Sequence, residues 1–94
     1  MGLVLSGPPM REIYLELTKS GNVVSDSEAI RLATTEELIA LRNKLWGHIR
    51  RAEDILGGRV GVTEERRQAA QRTLNTSRAI LEQTDKYYKP FRRI

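Results

Sequence analysis

The sequence of 94 residues contains no cysteine and only one histidine. The absence of cysteine excludes disulfide bonds, thiolate metal sites and cysteine nucleophiles. The histidine, His48, falls beside an apolar stripe of a predicted helix, so we interpret it as a packed or surface side chain. The glycines Gly57, Gly58 and Gly61 follow a helix and not a strand, so no phosphate loop is indicated. We therefore expect a protein that is not an enzyme and that uses no metal or cofactor.

Long hydrophobic runs are also missing. No apolar run approaches the roughly 20 residues that span a bilayer, and Leu3-Val4-Leu5 is too brief for a signal-peptide core. We expect no membrane partner and a cytoplasmic location, in the host cytoplasm if the protein is phage-encoded. We interpret residues 1–10 as a leader or flexible N-terminus. Residues 1–9, which precede Met10, could be an added leader or the product of an upstream start.

Acidic residues are fewer than basic ones: twelve Asp and Glu stand against sixteen Lys and Arg, which gives a net charge of +4. Twelve of the cations are arginines, whose planar guanidinium groups suit phosphate well. Residues 42–51 and 86–94 each hold four Lys or Arg and no acid. The pattern indicates either an anionic partner or a solvated basic surface.

Helix-capping residues mark the starts of two long helices. Thr34 and Thr35 precede Glu36-Glu37, and Thr63 precedes Glu64-Glu65. The helix dipole explains these carboxylate pairs, so they do not indicate acid–base catalysis. The link from Gly57 to Gly61 is too short to contain a strand. We predict an antiparallel helical hairpin over residues 34–91, followed by a basic tail at 92–94.

Both predicted helices carry a stripe at steps of three and four residues, the pattern of a buried helix face. In the first helix the stripe consists of Leu38, Leu41, Leu45, Ile49, Ala52 and Leu56. In the second it consists of Ala70, Thr73, Leu74, Ser77, Ile80, Leu81 and Thr84. Such a small-residue stripe buries little apolar area. The stabilisation from this burial therefore hardly offsets the conformational entropy that the chain loses on folding. We therefore predict a homo-oligomer.

Residues 11–33 are predicted to form a short β-ribbon and a connector. Residues 12–18 alternate apolar and polar side chains, Ser20-Gly21-Asn22 is a turn signal, and Val23-Val24 follows. Two strands alone are marginal in water, so the ribbon must lie on the helices or pair with the ribbon of another copy. Residues 25–28 could cap one helical turn. The predicted fold is thus mainly α, a two-helix hairpin with an N-terminal β-ribbon.

Trp46 has two interpretations. It could anchor a subunit interface, as lone tryptophans near a helix seam often do. It could instead be a stacking platform for a nucleobase, with Arg42, Lys44 and Arg50 contacting phosphates. The arginines of the second helix, Arg66, Arg67, Arg72 and Arg78, could form a solvated face. Together with Thr73 they could instead form a phosphate clamp, if two hairpins brought such rows together.

Part of this chain resembles a known family. The resemblance lies in residues Leu32–Lys44, in the turn that follows, and then in Arg66 and the pair Arg72-Thr73. They look like the helical hairpin of phage anti-CBASS cyclic-oligonucleotide sponges, which some anti-Thoeris sponges share. The family's first helix opens with a similar acidic cap and a leucine–any–asparagine step, here Leu41 to Asn43. The resemblance covers about half of the chain, residues 32–81.

The resemblance implies candidate ligand contacts at Arg66, Arg72 and Thr73. The family's tyrosine ahead of the first helix falls near Arg31, and its lysine three residues after the asparagine falls on Trp46. The family's tryptophan after the first arginine is Arg67 in this chain. The candidate ligand-binding residues are Arg31, Arg42, Lys44, Trp46, Arg66, Arg72 and Thr73.

The expected function is that of an oligomeric, non-enzymatic sponge. It would bind a cyclic nucleotide or a related signalling molecule and so deprive a bacterial antiphage effector of its activator. One alternative is a small basic phage protein that binds nucleic acid or modulates transcription. Another is an oligomeric helical adaptor without a small ligand.

Overall fold

The computed structural model describes residues 11–58 and 61–88. Its elements are two strands, β1 (Leu15–Leu17) and β2 (Val23–Ser25), and three helices, α1 (Ser27–Arg31), α2 (Thr35–Leu56) and α3 (Glu64–Asp85). The mainly helical fold, its helical hairpin and its antiparallel ribbon are therefore confirmed. The proposed leader at 1–10 and the basic tail at 92–94 lie outside the described residues.

The predicted caps begin both long helices. The Thr34 side chain accepts the N–H of Glu37 at 3.2 Å, and the Glu37 carboxylate accepts the N–H of Thr34 at 2.9 Å, which completes a capping box. Thr63 accepts the N–H of Arg66 at 3.1 Å and caps α3. The Glu37 carboxylate also accepts two hydrogen bonds from Arg11. Its hydrogen bond from the Thr34 backbone, followed by those from Arg11, lowers the pKa of Glu37.

The core lies between α2 and α3. Every residue of the predicted α3 stripe is buried, and so are the first five of the α2 stripe. In the last turn of α2 the expectation was wrong by one residue, because Ile55 is buried and Leu56 is only half-buried. Ile55 points to the side of the hairpin on which the ribbon lies, where it shares a groove with Leu17 and Ala70.

The ribbon packs on the helices of its own chain. Its strands are antiparallel, with Glu16 opposite Val24 and Leu17 opposite Val23. The backbone N–H of Val23 donates to the hydroxyl of Thr76 on α3 at 2.8 Å, and the Val23 side chain is buried in the core. The ribbon was predicted either to lie on the helices or to pair with the ribbon of another copy, and in the structure it lies on the helices.

The connector after the ribbon contains the helical turn expected from residues 25–28. The Asp26 carboxylate accepts the N–H groups of Glu28 and Ala29, and α1 follows. Ile30 on α1 is fully buried. At the same end of the hairpin α3 stops at Asp85, and Lys86 and Tyr87 form a turn. Within the described ranges, no helix is both long and apolar enough to cross a membrane.

The backbone of the ribbon turn packs directly against the backbone of α3 at Ala69. Gly21 has a φ of 98°, and a Cβ atom added to it would overlap the backbone of Ala69. We predict that Gly21→Ala lowers the free energy of unfolding by more than about 2 kcal/mol, because left-handed strain adds to the overlap. Urea denaturation measures this change.

Gly58→Ala is the matched control for that substitution. Gly58 has a similar φ of 102°, but a Cβ atom there would meet nothing within 4 Å. We expect it to cost only the backbone strain, about 1–2 kcal/mol. Equal losses in the two variants would contradict the close packing of the turn on α3.

Candidate functional site

A groove lies between the ribbon and the helical hairpin, with a cavity volume of about 450 Å³. We call it the basic groove. Its apolar part is formed by Leu17, Ala52, Ile55, Ala69 and Ala70. Its polar part is formed by Thr18, Lys19, Gly21, His48, Arg51, Thr63, Glu65, Arg66 and Thr73. The groove therefore combines an apolar lining with many polar groups.

The charge of the basic groove is positive. Lys19, Arg51 and Arg66 line it together with a single acid, Glu65. Among the described residues none of these three cations takes part in a salt bridge. Arg66 also lies in the first turn of α3, where the positive end of the helix dipole adds to the field. The groove is thus suited to a small anion that also carries an apolar or planar group.

His48 also lines the groove. Among the described lining residues, it is the side chain whose charge can change near pH 7. Burial, and then the nearby positive charge of Arg51, lower the pKa of His48 below its usual 6.5. The unfolded chain therefore binds a proton more readily than the folded chain does. The stability contributed by this difference is full above about pH 6.5 and is lost as the pH falls towards the lowered pKa.

We predict that this linkage is visible in unfolding measurements. The free energy of unfolding of the unmodified protein should fall between about pH 7 and about pH 5.5, and it should fall less in His48→Gln. Urea denaturation at the two pH values gives both slopes. The same loss in the two proteins would show that His48 is not the group responsible.

Arg72 and Thr73, predicted to hold phosphate, both donate hydrogen bonds that hold the ribbon turn on α3. Nε of Arg72 donates to the carbonyl of Ser20 at 2.6 Å. The buried hydroxyl of Thr73 lies 2.8 Å from the carbonyl oxygen of Gly21 and 3.0 Å from that of Ala69, both acceptors for its proton. Of these residues, Gly21, Ala69 and Thr73 line the groove, and the Thr73 hydroxyl is already committed to backbone oxygens.

We predict that Thr73→Val is destabilising. The substitution keeps the side-chain shape but leaves the Gly21 carbonyl without its donor, which should cost about 1–3 kcal/mol. Urea denaturation of Thr73→Val and of Thr35→Val makes the comparison. Thr35 has no side-chain hydrogen bond within the described ranges, so its loss should stay below about 0.5 kcal/mol. Similar losses would contradict the role of Thr73 in ribbon docking.

Arg31 and Lys44, two other predicted site residues, lie away from the basic groove, in salt bridges. Arg31 pairs with Glu28 on α1, and this hydrogen-bonded pair raises the pKa of Arg31. Lys44 pairs with Glu12, which lowers the pKa of that carboxyl. Each cation is therefore locally neutralised.

Arg42 joins α2 to the end of α3. Its Nη1 donates to the Thr84 hydroxyl at 2.7 Å and to the Asp85 carboxylate at 2.5 Å. Its guanidinium carbon lies 4.5 Å from the centre of the Tyr88 ring, in a cation–π contact. Arg42 thus has a structural role that its place in a basic stretch did not indicate.

Trp46 lies on the opposite side of the hairpin. It lines a second groove with Asn75, Arg78, Ala79, Leu81, Glu82 and Asp85, and its side chain is 44% exposed. The structure therefore does not bring the seven predicted residues into one site. Of the seven, only Arg66 and Thr73 line the basic groove.

The sequence pattern does not indicate Lys19 or Arg51 as site residues, and it favours His48 as a packed or surface residue. Arg51 belongs to the acid-free stretch 42–51, which was a usable signal. Lys19 had none, because it reaches the helices only when the ribbon folds back. Within the described ranges, no group of three or more acidic or histidine side chains is placed to hold a metal ion.

Comparison with known proteins found no matching protein family, no matching curated protein and no matching solved structure.

Proposed function

We propose that this protein is a non-enzymatic sponge that binds a cyclic nucleotide or a related signalling molecule and thereby blocks bacterial antiphage signalling. The observation that carries the proposal is the basic groove, in which Lys19, Arg51 and Arg66 are unpaired among the described residues and lie around an apolar lining. The resemblance of residues 32–81 to sponge hairpins supplies the class of ligand.

The groove offers separate contacts for the two halves of a nucleotide. Arginine and lysine side chains at its edge would bind the phosphate oxygens by charge-assisted hydrogen bonds. The apolar surface formed by Leu17, Ile55 and Ala70 would cover part of a base or ribose. The volume of about 450 Å³ lies within the range of small-molecule sites.

Sequestration follows from binding alone. A protein that binds the signal more tightly than the effector does, and that is present in excess over the signal, lowers the free signal by mass action. The ligand in turn stabilises the folded protein, by about 2.7 kcal/mol at a free concentration of 100 Kd. A thermal-shift screen with cyclic di- and trinucleotides is therefore a direct search for the ligand.

We predict that Arg66→Gln weakens binding of the ligand found in that screen by about tenfold or more. The change removes a charge-assisted contact worth about 1.5–3 kcal/mol. Isothermal titration calorimetry measures the affinity. Chromatography of the ligand after incubation should return it intact, as a sponge requires.

Arg67→Gln is the matched control, because it makes the same change of charge one residue along α3 and Arg67 does not line the groove. Its affinity should be close to that of the unmodified protein. Equal losses in both variants would indicate a general electrostatic effect. Indifference to every cyclic nucleotide, combined with steeply salt-dependent binding to duplex DNA, would replace the sponge with the nucleic-acid-binding alternative.

A further inference from the structure

The side of α2 that faces away from the ribbon carries a second periodic stripe. It consists of Glu36, Ile39, Asn43, Trp46 and Arg50, at steps of three, four, three and four residues, and we call it the outer stripe. Every one of these side chains is exposed, including Ile39 at 39% and Trp46 at 44%. This spacing is that of a seam between two packed helices. The core of the single chain does not account for it, because the stripe of α2 that packs against α3 consists of other residues.

The polar members of the outer stripe have no partner in the part of the chain that the structure describes. Glu36, Asn43 and Arg50 form no salt bridge and no side-chain hydrogen bond there. Other charged residues close to this side do pair, since Arg42 contacts Asp85 and Arg78 contacts Glu53. The outer stripe is thus the part of this side where both charged and apolar groups remain unmatched.

The outer stripe can pair with a second copy of itself that runs in the opposite direction. Two copies of α2 placed antiparallel, with Asn43 at the two-fold axis, bring Trp46 of each copy opposite Ile39 of the other. The same placement brings Glu36 opposite Arg50 at both ends. A parallel placement would put Glu36 against Glu36 and Arg50 against Arg50, which like-charge repulsion disfavours.

We infer that this chain forms a two-fold homodimer in which the outer stripes of two α2 helices pack antiparallel. The contact is isologous, so each apolar and each charge pair occurs twice. Trp46 and Ile39 supply the apolar burial, and Asn43 at the axis fixes the register, as a buried asparagine does in helix pairs. The inference does not depend on the proposed function, because the basic groove lies on the other side of the hairpin.

Charge reversal with complementation tests the arrangement. Arg50→Glu leaves two Glu–Glu contacts in its own dimer, and Glu36→Arg leaves two Arg–Arg contacts. A mixture of the two variants restores an opposite-charge pair at both ends of a heterodimer. We expect each variant alone to dissociate at least several-fold more readily than the unmodified dimer, and we expect the mixture to associate. Sedimentation equilibrium, with a chain mass of 10.7 kDa, measures all three states.

The fluorescence of Trp46 gives a second readout, because it is the only tryptophan of the chain. Its emission should shift to shorter wavelength as the protein concentration rises and the dimer forms. Ile39→Lys should abolish both the shift and the dimer. Val24→Lys is the matched control, since Val24 is similarly exposed at 45% but lies on the ribbon; it should leave both unchanged.

Three results would overturn the inference. One is the mass of a single chain at every concentration. Another is a dimer that Ile39→Lys and both charge reversals leave intact, since such a dimer would use another surface. The third is failure of the two charge variants to associate with each other although each remains folded by circular dichroism.

Discussion

The docking of the ribbon turn on α3 is the contact on which the rest of the candidate site depends. Gly21 lies directly against the backbone of Ala69, and the turn accepts hydrogen bonds from Arg72 and Thr73. Together with the hydrogen bond from Val23 to Thr76, this contact fixes the position of a ribbon whose two short strands alone would be marginal in water. With it, Lys19 is carried to the helical hairpin and the basic groove acquires its second wall.

Two groups of positive charges in the described part of the chain have different roles. Arg11, Arg31, Arg42 and Lys44 each pair with an acid. The Arg31 pair lies within α1, and the other three connect α2 either to the segment before β1 or to the end of α3. Lys19, Arg51 and Arg66 remain unpaired among the described residues and meet at one groove. The net charge of +4 therefore reports little about function by itself. Whether an arginine has an acidic partner within the chain is what distinguishes a structural arginine from a candidate ligand contact.

The helical hairpin also has two sides of different character. One side carries the ribbon and the basic groove, and the other carries Trp46 and the outer stripe. A ligand site and a contact between copies can therefore exist in one small chain without competing for surface. Both would add stability to a fold of this size, since small domains bury a limited part of their surface.

The sequence alone predicted the order of the secondary-structure elements and the starts of the two long helices, because the signals for them are local. Threonine caps with first-turn glutamates placed the starts of α2 and α3, and helical periodicity identified almost every buried residue of the hairpin. In the last turn of α2, Leu56 was predicted to be the buried residue, but Ile55 is buried there. The reason is that Ile55 lies on the side of the hairpin that the ribbon covers.

Only the tertiary structure decided the composition of the candidate site. Arg72 and Thr73 look like a phosphate clamp in sequence, but their hydrogen bonds go to a turn more than 50 residues earlier in the chain. Lys19 becomes a neighbour of Arg51 and Arg66 only through that same turn. A site assembled from contacts of long sequence separation leaves no local periodicity or spacing, which is the physical reason that the sequence could not specify it.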